Sequence, residues 1–195
     1  MSLKFVKETL SGVAPVFQKV FELFTGGFSF TETHAGNTLP AGSLVKVDEA
    51  ARTARVIKSA RLADTHTSNE GTAEVEKGHF FAVGDYLGYN GATSQKITAI
   101  AEGTDTDTLT LATGVTGDGF ATLPTGTVFY EAATFSDSTG AVSLANAITA
   151  YDTTTDAKDS VTVLRRGTAY KDRIQAHTET YHLNLPETIQ LSTSK

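Results

Sequence analysis

The chain has 195 residues, no cysteine and a formal net charge of −6. A chain of this size suits one domain, or one domain with an inserted lobe; folding buries roughly 70% of its extended surface, and the missing cysteines exclude disulfides, thiolate catalysis and cysteine-ligated zinc. The acidic balance argues against nucleic-acid binding, because the basic residues between 52 and 61 and between 165 and 173 are interspersed with other types and form no footprint for phosphates.

Residues 1–30 begin with lysines and many apolar side chains, but Glu8 and Glu22 interrupt them. The pattern is expected neither as a secretory signal nor as a bilayer span. Phe17, Phe21 and Phe24 are spaced i, i+4, i+7, which predicts one helical stripe over about 15–25. Pro15 suits the first helical turn and Gly26-Gly27 suits its end. Val13, Phe17, Val20, Phe21 and Phe24 are the candidate interface residues, because a terminal helix apolar on more than one face can dock on another chain. The competing expectation is that the helix packs on its own domain. A membrane-surface role is not expected, since no basic stripe accompanies the apolar one.

Phe28-Ser29-Phe30 alternates as a first short strand. Pro40 and Gly42 set a turn into a strand at 44–47. Residues 50–63 are alanine-rich enough for a helix, yet 55–62 also reads as a strand, and the strand is preferred. A polar loop at 66–71 leads to the stretch around which the rest is arranged, 77–132. There Asn90-Gly91 is a strong hairpin signal, because both residues accept positive φ. In 96–100, Ile97 and Ile100 fall on opposite faces of an ideal strand, which predicts cover on both sides. Leu109 and Leu111 alternate cleanly inward. After a polar loop at 135–140, residues 142–151 are mixed and 153–160 read as a polar loop. Residues 161–164 and 169–174 read as two strands either side of Arg166-Gly167, and 189–191 as an edge strand. Leu39-Pro40-Ala41-Gly42-Ser43 and Leu123-Pro124-Thr125-Gly126-Thr127 echo one another, which recurrent turn chemistry explains as well as duplication does.

These elements predict a mainly β fold, a small antiparallel barrel or sandwich with an N-terminal helix. The expected organisation is a helical docking segment at 1–30, an outer β domain from 31–71 and 134–195, and an inserted β lobe at 72–133.

The chemistry-bearing residues form no known constellation. His34, His66, His79, His177 and His182 include no His-x-x-x-His pair. Asp105-Thr106-Asp107 and Asp118-Gly119 resemble pieces of a calcium loop without its twelve-residue plan. Glu74 and Glu76 share a strand face and read as solvated carboxylates, since glycosidase pairs come from separate strands. No Gly-x-Ser-x-Gly elbow or phosphate loop is present. The sequence therefore predicts no enzyme, no metal and no cofactor.

Several blocks together resemble a known family. Ser2-Leu3-Lys4-Phe5, Ala14-Pro15-Val16-Phe17-Gln18-Lys19-Val20-Phe21-Glu22, Lys77-Gly78-His79-Phe80-Phe81-Ala82-Val83-Gly84-Asp85-Tyr86-Leu87, Gly126-Thr127-Val128-Phe129-Tyr130-Glu131-Ala132 and Val163-Leu164-Arg165-Arg166-Gly167-Thr168-Ala169-Tyr170 are similar to segments of head fibre or head decoration proteins. That family belongs to tailed bacteriophages and prophages of gut Bacteroides-type bacteria. The resemblance implies a β-rich virion protein on the capsid surface, made in the host cytoplasm. It implies a homo-oligomer, often a trimer, bound to the phage major capsid protein, with no nucleic acid or membrane as partner. On that reading the 13–24 stripe would face the capsid or a neighbouring subunit. A long repetitive fibre shaft is absent. The alternative expectation is a tail or baseplate adhesin for a surface glycan, with Tyr86, Tyr89 and Tyr130 as stacking rings.

Overall fold

Phenylalanine and valine favour the pleated strand as readily as the helix, and in the first described segment the strand wins. The computed structural model describes residues 15–31, 38–91, 93–112, 120–135, 141–154 and 160–193. Phe17–Phe30 is a 14-residue strand, β1, where the spacing of the phenylalanines predicted a helix over 15–25. The reason is a long partner. Ser160–Tyr170 forms an 11-residue strand, β13, which runs antiparallel to β1 from Phe17↔Ala169 to Ser29↔Ser160. The ladder is irregular between Phe17 and Lys19, between Val20 and Leu23, and between Phe24 and Phe28. Such bulges turn side chains off the strict two-residue alternation, so a helix-like spacing can be carried by a strand. Gly27 ends no helix. It sits inside β1 at φ 92°, and the Arg52 guanidinium occupies the space where its Cβ would stand.

Two further β13 features differ from the sequence reading. Residues 161–164 and 169–170 belong to one strand rather than two, and Gly167 lies within it. A Cβ at Gly167 would meet the Lys19 carbonyl oxygen at 2.4 Å, so glycine there admits the bulged β1 backbone.

The first sheet has the order β11-β3-β4-β1-β13-β14, with β3 at Leu44–Asp48, β4 at Thr53–Val56, β11 at Ala147–Ile148 and β14 at Ile189–Ser192. Its successive residues feed two clusters. Phe28, Val45, Val56 and Val163 pack on one side with Leu39 and Phe80. Leu44, Ile57, Ile148 and Leu164 pack on the other with Ile174 and Ile189. The sheet is thus covered on both faces. Thr38–Leu39 (β2) pairs with Thr153–Thr154 (β12) beside it. The helical pieces among the described residues are a 3-10 turn at Lys171–Arg173 and a single turn, α1, at Glu179–His182.

The second sheet has the order β5-β10-β7-β8-β9-β6. Its strands are Ser59–Arg61 (β5), Thr72–Glu76 (β6), Tyr86–Tyr89 (β7), Thr93–Glu102 (β8), Thr106–Leu111 (β9) and Val128–Ala132 (β10). Its chain order therefore begins at 59, upstream of the lobe expected at 72–133. Asn90 and Gly91 both have positive φ between β7 and β8. Leu109 and Leu111 point inward as expected, against Leu87, Phe120, Leu123 and Phe129. Ile97 and Ile100 both reach this same core, because a register shift between Ile97 and Ala99 reverses the alternation. The sheet curls until Leu62 bridges Val75, but that single bridge closes no barrel.

The chain crosses from the first sheet to the second at 57–58, and side chains lock the crossing. Gln175 Nε2 donates to the Ile57 carbonyl at 2.6 Å and to Ser59 Oγ at 2.9 Å, while its Oε1 accepts from the Leu44 N–H at 2.9 Å. Lys58 Nζ lies 2.9 Å from Asp85 Oδ2 and 3.2 Å from Glu131 Oε1, and Glu131 also meets Arg55 at 2.9 Å.

Glycine 88 is required by a ring. It stands directly across from Tyr130, and a Cβ there would lie 2.4 Å from the Tyr130 Cε2. The buried ring lies over the bare backbone while its hydroxyl accepts from the Gly91 N–H at 2.8 Å. Gly88→Ala is therefore expected to lower unfolding stability by about 1–3 kcal/mol, the usual cost of overpacking. Urea unfolding at neutral pH measures it, and an unchanged midpoint would refute the steric account.

Candidate interaction surface

The interface residues expected from sequence separate on the strand. Phe17 is partly buried against the cluster of Leu44, Ile57 and Leu164. Phe24 is partly buried against the other cluster, its ring 5.0 Å from that of Phe28, with the Arg52 guanidinium 5.0 Å from its centroid. These two serve the fold. Val20 and Phe21 face water, at 46% and 66% exposure. Val13 lies outside the described residues.

Phe21 stands at the head of a shallow groove of about 580 Å³, walled by Glu22, Arg165, Arg166, Glu187 and Gln190 among others. The Arg166 guanidinium sits 5.6 Å from the Phe21 centroid, within cation–π range. Arg165 meets Glu22 at 3.2 Å, an exposed pair that contributes little to stability. The sequence reading took Arg166-Gly167 as a turn, so it missed that β13 carries both arginines alongside Phe21. Among the described residues, β13 is the strand partner of 17–24; β4 reaches β1 only at Ser29 and Phe30. Among the described residues, this half of β1 is paired on one side, with β13, and carries two exposed apolar side chains.

The other candidates are not among the residues that wall this groove. His66 Nδ1 is 2.9 Å from the Thr72 carbonyl, and His177 Nδ1 is 2.9 Å from that of Gln175. His182 is buried beneath β10. His79 lies 3.2 Å from Asp107, whose other oxygen takes a 2.8 Å bond from Lys77. Burial, reinforced by the Lys77 charge, lowers the His79 pKa against the pull of Asp107. Burial raises that of Asp107, but Lys77, the Gly103 N–H and His79 outweigh it and hold the carboxyl below its usual value. Asp107 is thus engaged by protein donors. His34, Asp118 and Gly119 lie outside the described residues. Among the described residues, no group of three or more His, Asp or Glu side chains is arranged to hold a metal. Glu74 and Glu76 are exposed on β6, the first bonded to Thr106 at 2.5 Å and the second 3.5 Å from Arg61.

Of the three tyrosines considered for stacking, Tyr130 is buried with its hydroxyl taken. Tyr86 and Tyr89 are half-buried, and Tyr89 opens onto a cleft of about 450 Å³. Among the described residues, no helix is long and apolar enough to cross a membrane. No family model, curated protein or solved structure matches the chain.

Proposed function

We propose that the chain is a non-enzymatic structural protein of a tailed-phage virion, a head decoration or head fibre subunit that binds the major capsid protein of the assembled shell. The observation that carries this reading is Phe21, 66% exposed beside Val20 on the outer half of β1. The mainly β fold and the sequence blocks around 14–22, 77–87, 126–132 and 163–170 support the family implied by resemblance. In this reading Val20 and Phe21 are the contact residues, Phe17 and Phe24 hold β1 in place, and the protein acts as a homo-oligomer, commonly a trimer, on the capsid surface. Its work is binding. A protein that binds assembled subunits and not free ones stabilises the assembly by linkage, and several copies on one oligomer raise the effective concentration of each contact. No nucleic acid, membrane or cofactor enters the mechanism.

The test is the double variant Val20→Ser with Phe21→Ser. Both side chains are exposed in the free protein, so the thermal transition should barely move, as for most surface substitutions. Each apolar side chain buried at a contact is worth roughly 1.5–3 kcal/mol, so cosedimentation with purified capsids of the parent phage should weaken about tenfold or more. A folded variant that cosediments like the wild type overturns the assignment of this face.

A further inference from the structure

The turn between β7 and β8 sets an asparagine directly before a glycine, Asn90-Gly91, an order that occurs once in the chain. It carries a chemistry of its own. A backbone amide nitrogen can attack the side-chain carbonyl of an asparagine that precedes it, and a glycine has no side chain to hinder the approach. Asn90 is exposed, so water reaches the reacting groups. The nitrogen that would attack is already engaged. The Gly91 N–H donates to the Tyr130 hydroxyl at 2.8 Å, and the Tyr130 ring is buried over the bare backbone of Gly88.

We propose that Asn90 is a site of spontaneous deamidation to aspartate and isoaspartate, and that the Tyr130 hydroxyl sets its rate by holding the Gly91 N–H. The Gly91 nitrogen gives up its proton to water and bonds to Asn90 Cγ. The bond from Cγ to the side-chain nitrogen breaks, and that nitrogen leaves as ammonia with a proton taken from water. Water then opens the five-membered succinimide. Cleavage between the ring nitrogen and Cγ gives aspartate on the normal backbone. Cleavage at the backbone carbonyl gives isoaspartate, with the chain running through Cγ. One water is consumed, one ammonia is released, and nothing is oxidised or reduced. Closing the ring requires the Gly91 nitrogen to swing toward Cγ about the Asn90 Cα–C bond. That motion breaks the bond to Tyr130, so the hydroxyl acts as a positioning group that opposes the reaction.

The other described asparagines are held or shielded. Asn146 Oδ1 accepts from the Val47 N–H at 2.7 Å and its Nδ2 donates to the Val47 carbonyl at 2.9 Å, which fixes the amide. Asn69 shares the positive φ of Asn90, but Glu70 follows it, with a side chain beside the nitrogen and its N–H on the Thr67 carbonyl at 3.1 Å. Asn184 is followed by Leu185. At Asn90 the product matters to the fold. Isoaspartate lengthens the backbone between Tyr89 and Thr93, which are paired across the two strands. Either product adds a negative charge to a chain already at −6. The inference does not depend on the capsid reading.

The test incubates the full chain at mildly alkaline pH in heavy-oxygen water, folded and in urea, and maps the peptides by mass spectrometry. Heavy oxygen should enter first at Asn90, as aspartate and isoaspartate, and faster in urea than in the folded chain. Tyr130→Phe keeps the ring and removes the hydroxyl. The folded variant should deamidate about threefold to tenfold faster at Asn90, the factor that one net hydrogen bond supplies, and at the wild-type rate in urea. Amide exchange at Gly91 is a second measurement that needs no variant, and it should be slower in the folded wild-type chain than in urea. Equal deamidation rates in folded and unfolded chains, an unchanged rate in folded Tyr130→Phe, earlier labelling at another asparagine, or unprotected exchange at Gly91 overturns the proposal.

Discussion

Lys58→Met is expected to lower unfolding stability by about 3–5 kcal/mol, the typical cost of removing one partner from a buried ion pair. Lys58 is 6% exposed, at the point where the chain leaves the first sheet for the second. Burial disfavours its charge, but the Asp85 hydrogen bond and the Glu131 and Asp85 charges outweigh that, and its pKa is raised above the ordinary lysine value. Methionine fills much of the same volume, so the loss would be electrostatic. It would leave Asp85 and Glu131 beside each other, with Arg55 on Glu131 alone. A second substitution makes the account specific. Asp85→Asn keeps an oxygen to accept from the Ala82 N–H, a 2.7 Å bond in the native chain. Adding it to Lys58→Met should recover part of the loss, because an uncompensated charge is removed. Urea unfolding at pH 7 reads both effects. A loss below about 1 kcal/mol for Lys58→Met, or no recovery in the double variant, would show that the network is not what holds the crossing.

Lys58 illustrates what the sequence left illegible. Residues 55–62 carry Arg55, Lys58 and Arg61, and nothing local marks Lys58 as the buried one. Its partners are Asp85, 27 residues along the chain, and Glu131 on β10, the strand that pairs with β5. Pairing at that range is set by topology, and periodicity carries no information about it. Short-range patterns did better. The strand at 44–47, the inward Leu109 and Leu111, the Asn90-Gly91 turn and the edge strand at 189–191 are read correctly from alternation and turn chemistry.

The misreadings share one physical cause, irregular strands. In β1 the bulges disguise a strand as a helical stripe, so Phe17, Val20, Phe21 and Phe24 read as one surface. The structure packs Phe17 and Phe24, partly buried, against the two clusters and leaves Val20 and Phe21 exposed. In β8 a bulge brings Ile97 and Ile100 to the same side. In β13 Gly167 resembles a turn because glycine usually marks one, yet it is there for the Lys19 carbonyl. Bulges respond to the partner strand and leave little local signature. The cleft beside Tyr89 was visible only through its ring. Arg61, Thr127 and His177 lie on separate segments that β10 and the 174–182 stretch bring together.

Acidification from pH 7 to pH 4 is expected to cost about 3 kcal/mol of unfolding stability through His182 alone. This imidazole is fully buried in α1, with Nε2 3.1 Å from the Phe129 carbonyl and the Tyr130 ring 6.3 Å away. The Thr178 N–H donates to Nδ1 at 3.0 Å, so Nδ1 is the acceptor and Nε2–H donates to Phe129. That arrangement suits the neutral ring and has no place for a second proton. Burial above all, aided by the nearby His177 charge, pushes the pKa down from 6.5 to about 4. Between those values the unfolded chain carries a proton that the folded chain does not, so stability rises with pH across that window. The contribution is complete above pH 6.5 and is lost as pH falls to about 4. His79 adds in the same direction, and Asp107 adds its own loss at lower pH, where its carboxylate is protonated. His182→Gln can keep an acceptor for Thr178 and a donor for Phe129 while removing the titration. Its stability should therefore fall less steeply between pH 6 and pH 4.5, by about 1.4 kcal/mol per pH unit. Urea midpoints taken at half-unit steps resolve that difference. A folded His182→Gln chain with the wild-type slope would assign the acid sensitivity to other groups and leave the buried imidazole without a role in it.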